Sequence, residues 1–581
     1  RFQRNPAPDT PGLVSQVFHY PSNPNGPGQD ATIGSSLSTQ DFIQEGFGVR
    51  DDFTYSGLQK GGQHVIKGGV SVDFDTYDIT KRNNETPKFE YAQYVDPNNY
   101  GWTSNASGLP FNFEQPFLLS YGTGVGVVNT NNTRFGAYIQ DDWSPTPRLT
   151  FNIGIRWDFE TNMINTDYVT PQDVVDTLTR YVDSMPAPHI DLNRYISTGN
   201  NRSPFYGAFQ PRLGFSYALD AESKTTVFGG FGIYYDRSIF DFSVDEIQKL
   251  THPTYTIRFA APDSTPKPGQ VAWNDAYLTT DTTVLNALVH TSGLPEAYLL
   301  DNKMKPPKST QWSLGVRHVF GSVIGSVTYQ GQRGTDLFTY NWANIGFKPD
   351  SGCRNGCLSY NIGAHGFANI IYSTNDGKIW YDAVSLQFDR PYRLSSQNFG
   401  WGAGIVYTYA ERSIAGVDNL NDITSSFPGG FPRAYGIPKH SDNGGNDERQ
   451  RIVGNWIMDM PYLFGIQFSG LLTLGSGAVM DVGCAARFCG PETYLNGGFT
   501  PTRYTGVIPG AWAYRRIDLR FRKEFPVMSG TQMGASVDVF NVFNYQNFGC
   551  YDTGFQSKTY GQATCVISDP RRVQLGVDYT F

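Results

Sequence analysis

Three features are missing from this sequence, and each absence excludes a class of protein. No run of apolar residues approaches the roughly eighteen that a transmembrane helix needs. The formal net charge is −8, so the basic surface that binds phosphates is absent and no nucleic-acid partner is predicted. No HExxH or GxSxG motif is present and the histidines are dispersed, so neither an enzyme nor a cofactor is predicted.

A signal peptide and internal linkers are missing as well. Arg1 begins the chain without a signal peptide, so we expect a processed or partial chain. No Pro/Ser-rich or charged linker separates units within residues 1–581, which favours a single domain.

What the sequence does contain is an alternating pattern rich in aromatic residues. Aromatics make up 15% of the chain, enough for girdles at two membrane boundaries. The end of the chain shows the pattern most clearly, because its apolar residues share one face of a strand: Val573, Leu575, Val577, Tyr579 and Phe581. A lipid-facing strand that ends at an aromatic is typical of an outer-membrane barrel, so we interpret these residues as a C-terminal barrel signal.

The rest of the chain repeats this alternation in pairs of strands. Short turns join the members of each pair, and long segments rich in Gly, Asn, Asp, Pro and Ser separate the pairs. The predicted pairs are 41–55 with 64–74, 135–143 with 149–159, 205–219 with 225–235, 312–320 with 323–331, 381–390 with 401–409, 451–460 with 464–474, and 516–525 with 533–543. With the last strand they make about fifteen strands. Short periplasmic turns and long extracellular loops predict an all-β fold, an antiparallel transmembrane β-barrel.

Charged residues are confined to one face of these strands. An arginine on the lipid face costs roughly 2 to 4 kcal/mol at mid-depth, so the charged face should line the lumen. The predicted lumen-facing charges are Arg156, Asp158, Arg212, Arg516, Asp518, Arg520, Asp538 and Asp578. They could contact a plug or a passing solute, or form a mutually paired polar wall. A soluble sandwich with a wetted polar face is the alternative fold.

The odd strand count predicts more strands than this chain supplies. A bacterial barrel has an even number of strands and both termini in the periplasm. The first clear strand, 41–55, descends from the long-loop side, so we expect residues 1–40 to be an extracellular loop after a missing strand. About seven absent strands would complete a twenty-two-stranded barrel, the size of plugged transporters.

Several segments resemble a known family. The segments FGAYIQDDW (135–143), PRLTFNIGIRWD (147–158), RIDLR (516–520), FNVFNYQNF (540–548) and the terminal YTF are similar to the TonB-dependent outer-membrane receptors, particularly the Oar-like group. The resemblance covers nearly the whole chain and implies an energised importer or receptor in the outer membrane of a Gram-negative bacterium. It also implies outer-membrane lipid and lipopolysaccharide, the barrel assembly machinery and the TonB complex as partners. Neither a TonB box nor a plug is present, so we expect the plug to be absent from this chain and TonB to act through a missing N-terminal segment.

The ligand is not identified by the sequence; a small molecule and a peptide both stay open. We expect recognition mainly in the loops 160–204, 236–307 and 410–450. The alternative function is a structural or adhesive outer-membrane barrel that anchors its large loops or partner proteins.

The six cysteines fall into three close pairs, each within one predicted extracellular loop. In an oxidising compartment this arrangement favours three local disulfides over a zinc site: Cys353 with Cys357, Cys484 with Cys489, and Cys550 with Cys565. The loop 442–447 offers oxygen ligands for calcium but lacks EF-hand spacing, so no metal site is predicted.

Overall fold

The structure is a computed structural model dominated by extended strands. It describes residues 2–3, 14–19, 30–34, 38–96, 102–103, 108–123, 126–182, 190–237, 241–343, 346–348, 357–359, 366–394, 399–415, 440–441, 448–477, 479–480, 502–503, 513–528, 531–551, 559 and 562–580.

Fifteen long strands form one sheet, which we call the wall. They are β1 (Ser38–Tyr55), β2 (Gln63–Asn83), β3 (Gly126–Thr146), β4 (Leu149–Glu160), β5 (Ala208–Ala218), β6 (Thr225–Tyr235), β7 (Lys308–Phe320), β8 (Val323–Trp342), β9 (Asn369–Leu394), β10 (Gly400–Ala415), β11 (Gln450–Met460), β12 (Ile466–Gly475), β13 (Tyr514–Met528), β14 (Thr531–Phe540) and β15 (Arg572–Thr580).

The wall is antiparallel throughout. Each strand pairs with the next in this order, from β1 to β15. The prediction of about fifteen antiparallel strands is confirmed. β1 and β15 are the two edges, and within the described ranges they do not pair with each other.

Tight turns join alternate strands at one end of the wall. Between β1 and β2, Gly62 has a φ of 124°, in the region that favours glycine. A Cβ on Gly62 would lie 2.4 Å from the carbonyl oxygen of Ser144, so a larger residue does not fit there. Between β5 and β6, the carboxylate of Asp220 accepts hydrogen bonds from the backbone N–H groups of Lys224 and Thr225 at 2.8 and 2.6 Å. Local contacts of this kind fix the short-turn end.

Several wall strands run further than predicted at the other end. Residues 75–83 belong to β2, residues 126–134 to β3 and residues 369–380 to β9. The expectation that these residues are loop is therefore wrong. The strands project beyond the stretch in which hydrophobic alternation is visible.

A second layer, the outer layer, forms from segments that connect the strand pairs. Its strands are Ser15–His19, Asp30–Ile33, Lys88–Ala92, Leu118–Gly122, Thr254–Phe259, Gln270–Val271 and Leu294–Leu299. They pair side by side in the order 30–33, 15–19, 88–92, 118–122, 254–259 and 294–299. The segment 270–271 pairs with 258–259, and 294–299 pairs in parallel with β9. The outer layer is therefore hydrogen-bonded to the wall.

Three α-helices belong to the outer layer: α1 (Gln172–Tyr181), α2 (Asp241–Thr251) and α3 (Thr282–Ser292). Short 3-10 helices span Leu192–Arg194 and Asp275–Tyr277. α1 buries Val174 and Leu178, which are one turn apart on the same face. α3 begins where the side chain of Asp281 accepts a hydrogen bond from the backbone N–H of Thr283 at 2.8 Å. No helix among the described residues is long and apolar enough to cross a membrane.

The largest apolar cores lie in the outer layer. One core packs α1 and α2 against strand 294–299 and the start of β9; its members include Leu178, Tyr195, Leu250, Leu299 and Ile370. A second packs α3 against the outer sheet, with Phe89, Leu119, Ile257, Phe259 and Leu285. The outer layer therefore folds around cores of its own.

The remaining described strands are short. Phe2–Gln3 pairs with β1 and His440–Ser441 with β10. Tyr94–Val95 pairs with Trp102–Thr103 and Leu109–Pro110, Gly346–Lys348 with Cys357–Ser359, Val479–Met480 with Thr502–Arg503, and Phe548–Tyr551 with Ala563–Val566.

Candidate functional site: the two faces of the wall and helix α2

One face of the wall is apolar and exposed. On β15 the exposed fractions of Val573, Leu575, Val577 and Tyr579 are 63, 75, 75 and 53%. Their partners across the register on β14 are apolar too, as in the pair Val537 and Leu575. Apolar side chains this exposed need a nonpolar surrounding, which a bilayer provides. Phe581, the last residue of the predicted signal, lies outside the described residues.

The opposite face, which we call the polar face, carries the predicted lumenal charges. Arg156 meets Asp158 at 2.6 Å, and Arg516 meets Asp518 at 2.9 Å. Arg520 forms two hydrogen bonds with the nearly buried Asp538. Asp578 accepts from Arg522 at 2.8 Å. Seven of the eight predicted charges therefore form ion pairs, as in the paired-wall interpretation.

Arg212 is the eighth predicted charge and behaves differently. Its guanidinium lies 4.8 Å from the ring centre of Tyr234 and forms no ion pair within the described part of the chain. Tyr234 belongs to β6, as the predicted strand 225–235 requires.

Helix α2 covers the polar face at the long-loop end of the wall. There the face becomes apolar, because Tyr77 and Ile79 of β2 and Val128 of β3 are buried against Val244 of α2. Phe42 of β1 adds a partly buried ring to this contact. Helix α2 therefore packs on the polar face of the wall and not on its apolar face.

Three ion pairs connect α2 to three separate segments. Asp245 meets Lys81 of β2, Glu246 meets Arg202 of the segment between β4 and β5, and Lys249 meets Glu296 of the outer sheet. The Lys249 to Glu296 distance is 2.7 Å. Because these ion pairs join α2 to three separate segments, the helix cannot move as a unit without breaking at least one of them.

The pair formed by Arg202 and Glu246 is completely buried. Two guanidinium nitrogens of Arg202 donate to the two carboxylate oxygens of Glu246 at 2.7 Å each, and the side chains are 0 and 1% exposed. Arg202 also donates to Asn302 and to the carbonyl oxygens of Ile164 and Leu300. These contacts occupy all five N–H donors of the guanidinium.

Burial and nearby charges shift the pKa values of two groups near α2, Glu296 and Tyr168. Burial by itself would raise the pKa of Glu296, but Lys249 and Asn369 outweigh it and the pKa lies below its usual value. Burial, followed by the charge of Glu246, raises the pKa of Tyr168, whose ring covers Arg202 at 5.8 Å. Glu296 therefore stays charged and Tyr168 stays neutral near pH 7.

Sequence reasoning missed α2 and its ion pairs. A signal was present, because Val244, Ile247 and Leu250 recur at helical spacing inside a segment interpreted as loop. No comparable signal exists for Arg202, whose partner Glu246 is distant in sequence. Of the predicted recognition loops, 160–204 and 236–307 are largely described, whereas most of 410–450, including the candidate calcium loop 442–447, lies outside the described residues.

The cysteines are only partly described. Cys550 and Cys565 form a disulfide that links Phe548–Tyr551 to Ala563–Val566, with the Cα atoms 5.4 Å apart. Cys353, Cys484, Cys489 and the side chain of Cys357 lie outside the described residues, so the other two pairings stay predictions.

Peptide mapping without reductant is expected to recover a peptide pair that joins Cys550 to Cys565. The two cysteines lie on paired strands and are separated by 15 residues, so the link closes a local loop. A reduced sample digested in parallel is the control, because the linked peptide should disappear there. Free thiols at these positions after oxidising isolation would contradict the pairing.

Comparisons with known proteins agree with this architecture. The family model described as outer membrane beta barrel domain matches residues 3–482. The TonB-dependent transporter Oar of Myxococcus xanthus is 27% identical over 109 residues, which are 17% of this chain and 9% of that protein.

Among solved outer-membrane proteins, YddB resembles the chain in fold. The outer membrane transporter YddB from Escherichia coli has a TM-score of 0.53 and 14% identity, over 97% of this chain and 57% of that chain. FpvA of P. aeruginosa bound to heterologous pyoverdines has a TM-score of 0.44 and 12% identity, over 96% of this chain and 50% of that chain. The chain thus spans little more than half the length of these proteins.

Proposed function

The chain belongs to the outer membrane beta barrel domain family, and from this premise we propose that it forms the barrel of a TonB-dependent receptor or transporter. It is a protein of the Gram-negative outer membrane. The wall carries the proposal: fifteen antiparallel strands have one apolar and one charged face, in a fold like that of YddB over 97% of the chain.

We propose that further strands close this wall into a barrel. Among the described residues no long strand pairs with the outer edge of β1, which meets only the two-residue strand Phe2–Gln3, or with the outer edge of β15, and open sheet edges are not tolerated in hydrocarbon. Residues 1–581 would then be one barrel domain whose polar face lines the lumen. A lumen of that size needs a plug to prevent leakage, and the paired charges of the polar face offer it a polar surface.

Helix α2 and the outer layer would control access from outside. α2 covers the long-loop end of the polar face, so a solute entering there has to pass it. The outer layer, which contains the described parts of the predicted recognition loops 160–204 and 236–307, is the part that would meet a ligand first. The ligand would be a small molecule or a peptide.

A structural or adhesive role is the second candidate, and the apolar cores of the outer layer favour it. An anchor needs stable extracellular loops that bind partners without opening. The two outer-layer cores and the buried pair of Arg202 and Glu246 give the loops such stability.

Binding of the periplasmic domain of TonB separates these functions. The full-length gene product, purified in detergent, is expected to bind the domain saturably, and a version that lacks only its periplasm-exposed N-terminal segment should not. A protein limited to residues 1–581 should also fail to bind. Absence of binding by the full-length protein would defeat the transporter proposal and favour the anchor.

A further inference from the structure

Most of the arginines on the polar face have their positive charge neutralised by a nearby carboxylate. Six of them each lie against a carboxylate: Arg50, Arg134, Arg156, Arg516, Arg520 and Arg522. The carboxylates come from the same strand or from a neighbouring one, and Arg522 also reaches Asp578 on β15, two strands away. Charge on this face is therefore balanced locally at these positions.

Arg212 on β5 departs from this pattern. Within the described residues it has no carboxylate partner, and its closest polar contact is a long one, 3.5 Å, to the side-chain oxygen of Gln210. The guanidinium rests on the ring of Tyr234 at 4.8 Å. Stacking on a ring occupies the face of a guanidinium and leaves its N–H edge free to bind.

The space in front of Arg212 is open. Its register neighbours on both sides are glycines, Gly154 on β4 and Gly232 on β6. A Cβ on Gly232 would lie 2.7 Å from the hydroxyl of Tyr234, so glycine is what allows the ring to lie beneath the arginine. The result is a cavity of about 420 Å³ in the wall.

Apart from Arg212, the described residues that line the cavity are uncharged, and they combine neutral amides with apolar residues such as Phe231 and Trp312. Gln140, Gln311, Gln330 and Gln332 contribute side chains to it, together with Asn152. Amides donate and accept hydrogen bonds but do not neutralise a cation. The arginine thus supplies a single positive charge in surroundings that can hydrogen-bond a polar ligand.

We propose that the cavity around Arg212 binds a carboxylate. A planar guanidinium matches the two oxygens of one carboxylate group through two parallel hydrogen bonds, whereas a phosphate dianion concentrates two charges on one tetrahedral group and calls for more positive charge there than one arginine offers. The carboxylate belongs either to a polar solute in the lumen or to another segment of the same protein packed against the wall. This inference rests on the proposed function insofar as the polar face lines a lumen.

Titration calorimetry on the full-length protein in detergent tests the solute source, with succinate as the probe and succinamide as its neutral counterpart. Succinate is expected to bind saturably and at least tenfold more tightly than succinamide. Arg212→Gln should weaken succinate binding at least tenfold. The matched control is Arg317→Gln, which removes an exposed arginine from the same face of β7 three residues before the strand ends at Phe320. That variant should bind succinate as the unaltered protein does.

Thermal unfolding of the same proteins tests the other source. If a carboxylate of the protein already occupies the cavity, succinate does not bind, and Arg212→Gln lowers the melting temperature by several degrees while Arg317→Gln leaves it unchanged. The proposal is overturned if succinate does not bind and the two variants melt alike, or if both variants lose succinate binding equally. Neither readout involves TonB, so failure of the transporter proposal is seen separately.

Discussion

Replacing Leu575 with arginine is expected to reduce the free energy of unfolding in lipid vesicles by about 2 to 4 kcal/mol. Leu575 lies near the middle of β15, 75% exposed, on the apolar face of the wall. A charge there would have to leave water for hydrocarbon, or drag water and headgroups towards the centre of the bilayer. Urea titrations of the full-length protein folded into vesicles measure this loss.

The matched control is Gln574→Arg, one residue earlier on the same strand. Successive side chains of a strand point to opposite faces, so residue 574 lies on the polar face, opposite Asp538 in the register. An arginine there keeps its hydration and gains a carboxylate neighbour, so the free energy of unfolding should change by less than about 1 kcal/mol. Equal losses in both variants would mean that β15 does not separate lipid from a polar interior.

The strands of the wall could be predicted because the residue pattern that defines each of them lies within a single strand. Each lipid-facing residue of β4 and β15 must be apolar and each residue on the other face can be polar, so the alternation is written into single strands. The pattern weakens at the long-loop end. On β2, Asp75, Tyr77, Ile79 and Lys81 share the buried face, because α2 covers it and supplies a partner for a charge as well as for a ring. A strand predicted from hydrophobic alternation alone therefore ends too early, at residue 74 rather than at Asn83.

The outer layer could not be predicted in the same way, because its fold depends on contacts between residues that are distant in sequence. Arg194 with Asp301, and Glu90 with His19, join residues that no local pattern relates. Alternation placed the predicted lumen-facing charges on one face of their strands but did not give each its partner, since the choice of partner can depend on register across strands, as for Arg520 and Asp538. The position of Arg212, stacked on Tyr234 beside a cavity and without an ion pair among the described residues, becomes visible only in the structure.

Replacing Arg202 with methionine is expected to destabilise the outer layer by about 3 to 5 kcal/mol, because Glu246 would remain buried without a counter-charge. Both side chains are almost completely buried, and α2 would lose the contacts that Arg202 makes between Glu246 and Asn302 and the carbonyl oxygens of Ile164 and Leu300. Hydrogen exchange of the α2 amides in the full-length protein measures the loss. Exchange should become at least about a hundredfold faster, since each 1.4 kcal/mol corresponds to a factor of ten.

An exposed pair provides the comparison for that variant. Glu222 and Lys224 are 69 and 57% exposed in the turn between β5 and β6, where water replaces a lost partner. Glu222→Gln should therefore change stability by no more than about 1 kcal/mol and leave α2 exchange unaltered. If Arg202→Met behaved like Glu222→Gln, the buried pair would not be what holds α2 over the polar face.

The double variant Arg202→Met with Glu246→Leu separates loss of the ion pair from the cost of an unpaired buried charge. When both charges are removed, apolar side chains of similar volume fill the site and no charge remains to be desolvated. The carbonyl oxygens of Ile164 and Leu300 still lose a donor, so recovery should be partial. We expect α2 amides to exchange more slowly in the double variant than in Arg202→Met alone. Exchange that is faster still would show that Glu246 stabilises α2 mainly through the hydrogen bond it accepts from the backbone N–H of Leu300, which the double variant also loses, rather than through its pairing with Arg202.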